Sequence, residues 1–192
     1  MNNPRSRPVV VLLAGLAGSG KSTFAPYLAE SMNATVLDSD NLFDAPRLAV
    51  GSALGVGLKI VDEPQWRDVV HGRLLSLFLA LASTAATPAR PVIAVSPWTA
   101  FRQPGSTAFD EACIGLTSEF RWVIATCPSE IRYGRICSRG REMDATKIAA
   151  GPIPDPDLGV PSECISIDLG CGLDSYPSIA RNVAHALKCD QI

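Results

Sequence analysis

The sequence predicts an α/β fold in three layers, a five-stranded parallel sheet with helices on both faces. Three observations point there. Short, almost wholly apolar runs alternate with segments whose apolar residues recur at helical spacing. The first run passes through a glycine-rich octapeptide straight into a helical segment. Several later runs end in small polar or acidic residues, as at the carboxyl ends of parallel strands, where ligands gather.

The first strand is Pro8-Val9-Val10-Val11-Leu12-Leu13-Ala14, apolar throughout as a strand buried on both faces should be. Arg5 and Arg7 ahead of this run resemble the start of a secretory signal. The run is short, however, and it leads into Gly-Ser-Gly-Lys-Ser-Thr without a small-residue cleavage site, so a strand is expected. Lys21–Met32 follows as a helix, with Phe24, Leu28 and Met32 on one face. Ala34–Leu37 is a second strand ending at Asp38-Ser39-Asp40, and a loosely patterned, Gly-containing stretch runs on to about Asp62.

From Pro64, Trp66, Val69, Val70, Leu74, Leu77, Phe78 and Leu81 recur at three- and four-residue intervals and predict a long helix. Thr87–Pro91 ends it. Val92–Val95 is the third strand, closing at Ser96-Pro97-Trp98. A short helix is expected at Thr107–Leu116 and a fourth strand at Phe120–Ala125. Ser129 is placed as the N-cap of a helix running to Arg139. Ile165–Ile167 is the fifth strand, and Tyr176–Leu187 closes the chain as an amphipathic helix.

At 192 residues the chain is expected to be one domain. A net charge of −2, with no run of Lys or Arg longer than two, suggests no nucleic-acid partner. The apolar stretch Leu74–Ala82 is too short to span a bilayer. Six cysteines without a Cys-x-x-Cys pair, and only two histidines, make a zinc site improbable. Most of the cysteines read as small buried hydrophobes of a reduced, cytoplasmic protein. A homodimer is left open.

Gly15-Leu16-Ala17-Gly18-Ser19-Gly20-Lys21-Ser22 satisfies G-x-x-x-x-G-K-[ST], the Walker A or P-loop pattern, at every fixed position. Its glycines let the backbone N–H groups of 17–22 cradle phosphates, with Gly15, Ala17, Gly18, Ser19, Gly20 and Thr23 in the nucleotide site. Lys21 supplies an ammonium to the β and γ phosphates, and Ser22 supplies a hydroxyl to Mg²⁺. The helix N-terminus adds its positive end.

Asp38-Ser39-Asp40 has two readings. Beside a phosphate site, one carboxylate can hold metal-bound water while the other accepts a hydrogen bond or proton from an attacking hydroxyl. Alternatively the motif is an Asx turn or helix cap, through Asp40. Behind a P-loop the functional reading is favoured.

These features resemble the small-molecule kinases of the P-loop superfamily, nearest to gluconate kinase, shikimate kinase and chloramphenicol phosphotransferase. The likeness rests on GLAGSGKST at 15–23, LDSDNLF at 37–43, VIAVSPWTAFR at 92–102 and RYGRICSRGRE at 132–142. It implies an ATP- and Mg²⁺-dependent enzyme that phosphorylates a hydroxyl of a small polar molecule. Asp38 would serve the metal shell and Asp40 the acceptor hydroxyl. Arg67, beside Trp66, resembles an arginine that grips the acceptor's acid group, against the reading of a solvated helix residue. Arg102 stands where a substrate arginine follows strand three in gluconate kinases.

Arg132, Arg135, Arg139 and Arg141 resemble a lid over about 136–150. Arg139 would meet the transferring phosphoryl group and Arg135 the nucleotide, against the reading of basic residues opposing a helix dipole. A kinase of nucleic-acid ends and a non-catalytic ATP-binding switch are the alternatives. Pro97-Trp98 and the missing acidic residue at Ser96 depart from the family pattern.

Overall fold

The computed structural model describes residues 7–55, 70–141, 144–152, 156 and 158–189. Its centre is β1 (Val9–Ala14), whose six residues are all buried. Around it lie β2 (Thr35–Asp38), β3 (Val92–Val95), β4 (Glu119–Thr126) and β5 (Cys164–Asp168), every pairing parallel, in the order β2-β3-β1-β4-β5. The five-stranded parallel sheet expected from the apolar runs is therefore present.

Strand alternation divides β1 between two cores. Val9, Val11 and Leu13 pack with Phe24, Ala25 and Leu28 of α1 (Lys21–Met32) and with Ala180, Val183 and Leu187 of α7 (Tyr176–Cys189). Val10, Leu12 and Ala14 face the other way. They meet Phe43 of α2 (Ser39–Ala53) and Leu75, Phe78 and Leu79 of α3 (His71–Ala85). Both faces of the central strand are covered, as a parallel sheet requires.

Helix α2 lies where the sequence reading placed a loose stretch. Its buried face is Ser39, Phe43, Arg47 and Gly51, spaced four residues apart but with a single large apolar side chain, and Pro46 lies inside the helix. An apolar stripe is therefore missing although a helix is present. The expected helix start at Pro64–Val69 lies outside the described residues; the helix is seen from His71.

Two shorter helices are α4 (Ala108–Cys113), which precedes β4, and α6 (Ala145–Ala150), which follows α5 (Ser129–Arg139). Helix α4 is shorter than expected. Ser129 is the first helical residue of α5, Pro128 holds the cap position, and no side-chain cap bond forms there. Of the described cysteines, only Cys127 is buried; Cys113, Cys164 and Cys171 are half-buried and Cys137 is exposed, so the expectation of mostly buried thiols fails.

Trp98 anchors the second core. It is fully buried, its indole lies 5.4 Å from the Phe78 ring and 5.7 Å from Phe101, and its Nε1 donates to the Ala94 carbonyl at 3.2 Å. Its departure from the gluconate-kinase pattern is thus a packing residue at the end of β3. Trp98→Ala should lower unfolding free energy by about 3–5 kcal/mol in urea titrations, and a loss near 1 kcal/mol would show the site collapsing without a cavity.

Candidate active site

The turn after β1 is shaped by contacts that leave no space for side chains. Gly18 has φ +77°, and a Cβ there would stand 2.5 Å from the Arg132 carbonyl oxygen of α5. Gly20 has φ +95°, and a Cβ there would meet the Tyr176 hydroxyl at 2.6 Å and Arg135 Nη1 at 3.1 Å. Only glycine fits both the backbone and the space. Arg135 braces the loop from above: its Nη1 donates to the Gly18 and Ser19 carbonyls at 3.4 and 3.3 Å, and its Nη2 to Leu169 at 2.9 Å.

A cleft of about 450 Å³ opens beside this loop, lined by Gly18, Gly20, Lys21, Ser22 and Thr23. Arg135, Ser138 and Arg139 form a second wall, and Cys171, Gly172, Leu173 and Tyr176 a third. The last wall follows β5, a strand end that the sequence reading did not count among the site loops; its signal was the Gly170-Cys171-Gly172 run. The donor set suits a nucleotide: backbone amides at a helix N-terminus, one ammonium and two guanidinium groups. Ser19 Oγ is buried without a hydrogen-bond partner, an unpaired polar atom inside the loop itself.

Across the loop stands the acidic motif. Asp38 caps α2, its Oδ1 accepting from the Asp40 N–H at 2.9 Å. The cap reading therefore holds for Asp38, where Asp40 was expected, and Asp40 is left in the first turn facing the P-loop lysine. Ser39 Oγ donates to Ser96 Oγ at 3.2 Å, tying the ends of β2 and β3 together. Ser22 and the Asp38–Asp40 pair offer one hydroxyl and hard carboxylate oxygens, a set that fits a Mg²⁺ ion retaining several waters.

Three charged side chains that sequence spacing did not group with Asp40 form a network with it. Arg47 Nη1 lies 3.5 Å from Asp40 Oδ1 and 3.0 Å from Asp44 Oδ1. Arg141, just past α5, donates to Asp40 Oδ2 at 3.2 Å and to Asp44 Oδ2 at 2.8 Å. Burial alone would raise the Asp40 carboxyl, but Lys21, Arg141 and Arg47 outweigh it and hold it below the ordinary aspartate range. Burial lowers the Lys21 ammonium, Asp40 and Asp38 oppose that effect, and Arg139 and Lys147 add to it.

The remaining expected residues are dispersed. Arg139 lines the cleft, but its guanidinium is paired with Asp144 at 2.7 Å. Arg132 is buried, with its carbonyl against Gly18. Arg102 donates to the Gly159 carbonyl at 3.2 Å in a separate cleft that shares no lining residue with the P-loop cleft. Arg67 lies outside the described residues. Of residues 136–150, the expected lid, those described comprise the end of α5, a left-handed Gly140 after it and α6; Arg141 in that segment reaches back to α2.

The Asp144 carboxyl gives a pH prediction. Burial would raise it, but hydrogen bonds from Arg139 and Lys147 prevail and lower it from 3.8. A carboxyl depressed in the folded state contributes stability that is fully present above its unfolded value and lost as pH falls through its folded value. Urea denaturation should show stability falling with pH on the acid side of the ordinary aspartate value, and Asp144→Asn should flatten that slope. An unchanged slope would place the acid sensitivity elsewhere.

A parallel α/β sheet whose central strand runs through a glycine-bent anion loop into a helix defines a P-loop nucleotide-binding protein. A family model described as an AAA domain matches residues 10–150, and the chain belongs to that family. A 64-residue stretch is 41% identical to shikimate kinase of Corynebacterium efficiens, covering 33% of this chain and 36% of that protein. A 65-residue stretch is 42% identical to shikimate kinase of Corynebacterium diphtheriae, 34% of this chain and 35% of that protein. The matches thus span about a third of the length of these relatives.

Solved structures share the fold over nearly the whole chain. The APS kinase of Mycobacterium tuberculosis superposes with a TM-score of 0.62 at 19% identity, covering 95% of this chain and 99% of that one. A gluconokinase of Sinorhizobium meliloti gives 0.55 at 17% identity, covering 95% and 94%. No described helix is long and apolar enough to cross a membrane.

Proposed function

We propose that this chain is an ATP- and Mg²⁺-dependent kinase that phosphorylates a hydroxyl of a small molecule. The observation that supports this most is the placement of Asp40 close enough to the P-loop Lys21 for each to shift the other's ionisation. A carboxylate there would repel phosphate unless it serves the metal shell or an acceptor hydroxyl. With Asp38 available for the metal shell, Asp40 is left for the hydroxyl.

ATP would supply the γ-phosphoryl group, its bond to the β–γ bridging oxygen breaking as the acceptor oxygen bonds phosphorus, with Mg²⁺ shielding the phosphate charge. The amides of Ala17–Ser22 bind and orient phosphates, Lys21 neutralises developing charge, and Ser22 with Asp38 would hold the metal shell. Asp40 orients the acceptor by accepting its hydroxyl hydrogen bond at a carboxylate oxygen. A carboxylate offers about four lone-pair sites, so the two arginine contacts leave capacity for the acceptor. Its depressed pKa makes it a weak base. That suffices where the transition state is loose and the hydroxyl proton passes to the Asp40 carboxylate only late, as the new O–P bond forms, and from there to water.

Arg139 and Arg141 carry the lid segment over the site and exclude water. The likeness to shikimate and gluconate kinases supports an acceptor of metabolite size. ADP release should rise with at least one member of a panel of sugar acids, polyols, alicyclic alcohols and aminoglycosides. Slow turnover indifferent to every member would favour a nucleotide switch.

A further inference from the structure

Asp144 is fully buried, yet its side chain makes no cap bond to α6, the helix that it precedes. The whole carboxylate is engaged by two cations. Arg139 donates Nε to Oδ2 at 2.7 Å and Nη2 to Oδ1 at 3.0 Å, and Lys147 donates Nζ to Oδ1 at 2.9 Å. Burying a carboxylate is unfavourable unless its lone pairs are met by charged donors in good geometry. Here they are.

The two cations face different clefts. Arg139 lines the nucleotide cleft with Gly20, Lys21 and Ser22. Lys147 lines a second, mainly apolar pocket of about 290 Å³ that includes Leu16, Ala17, Pro97, Tyr133 and Ile136. The two clefts share the P-loop as a wall, Leu16 and Ala17 on one side and Gly18 to Thr23 on the other. Asp144 therefore sits at a hub between the nucleotide side and the opposite side of the loop.

Resting on the kinase reading above, we propose that Asp144 is a positioning residue that fixes Arg139 and Lys147 over the P-loop, and that Lys147 is a second lid cation for the transferring phosphoryl group. Arg139 and Lys147 both stand close enough to Lys21 to disfavour its ammonium. Asp40 and Asp38 outweigh these two cations at Lys21, but Arg139 and Lys147 share the single Asp144 carboxylate, so that group keeps one net positive charge beside the P-loop. A polyanion bound at the loop meets that charge. A terminal phosphate is such an anion, and its oxygens accept charge-assisted hydrogen bonds from ammonium and guanidinium alike.

The test compares ADP with AMP-PNP, each with Mg²⁺, by calorimetric titration of the wild type, Lys147→Ala, Lys147→Arg and Asp144→Asn. Wild type should bind AMP-PNP more tightly than ADP. Lys147→Ala and Asp144→Asn should weaken AMP-PNP by about tenfold while leaving ADP within about twofold, and Lys147→Arg should restore the difference. Lys147 is 49% exposed, so its truncation reads the effect even if Asp144→Asn fails to fold. Variants that keep the wild-type ratio of affinities, or that lose both ligands in proportion, overturn the proposal, as does a wild type that binds both equally. A wild type that binds neither nucleotide overturns the kinase reading with it.

Discussion

Asp40→Asn should lower acceptor-dependent phosphoryl transfer by about 10²–10⁴-fold while ATP affinity stays within about twofold. The asparagine keeps the size of the side chain and one acceptor oxygen but loses the charge that attracts the hydroxyl proton. Arg47 and Arg141 retain Asp44 as a partner at 3.0 and 2.8 Å, so the clamp between α2 and the segment after α5 persists. ADP release with and without acceptor, beside calorimetric ATP binding, separates the outcomes. Equal loss of binding and transfer would make Asp40 a structural or metal residue.

Lys21→Ala should lower transfer by about 10²–10³-fold, the effect of removing one preorganised donor from a developing anion. The fold should persist. Lys21 opens α1, where alanine is a better helix former. Burial disfavours the Lys21 ammonium more than Asp40 and Asp38 favour it, so its removal relieves a desolvation penalty. Far-ultraviolet circular dichroism and thermal melting should match the wild type or show a higher Tm. A Lys21→Ala protein that transfers phosphate at the wild-type rate would remove the P-loop from the chemistry.

The parallel sheet and the anion loop were legible because their signals are local. Six consecutive apolar residues make a doubly buried strand, and an octapeptide with fixed glycines makes one kind of turn. Helix α2 was not legible, since its inward face is Ser39, Phe43, Arg47 and Gly51, a stripe defined by contacts with a charged cluster and not by hydrophobicity. The charge network was hidden for a related reason. Arg141 meets Asp40 and Asp44 across about a hundred residues of chain, a pairing that spacing cannot express. Within the lid the arginines drew attention as a basic run, while Asp144, the buried carboxylate that pairs with Arg139, was not singled out.

The acceptor side illustrates the same limit. Arg102 had the sequence position of a substrate arginine after β3, but its guanidinium turns to the backbone of Gly159. Trp98, beside it, turns into the core. One-residue differences in direction at the end of a strand decide whether a side chain joins a site or a core. They are set by packing partners from other elements.

The central claim is that the P-loop and Asp40 form one phosphoryl-transfer site. ³¹P NMR of the protein with Mg²⁺, ATP and the acceptor that raises ADP release tests it most directly. One new phosphate monoester resonance should grow in equal amount with ADP, and Asp40→Asn should suppress it. ADP accompanied only by inorganic phosphate, at a rate indifferent to the acceptor and to Asp40, would contradict it.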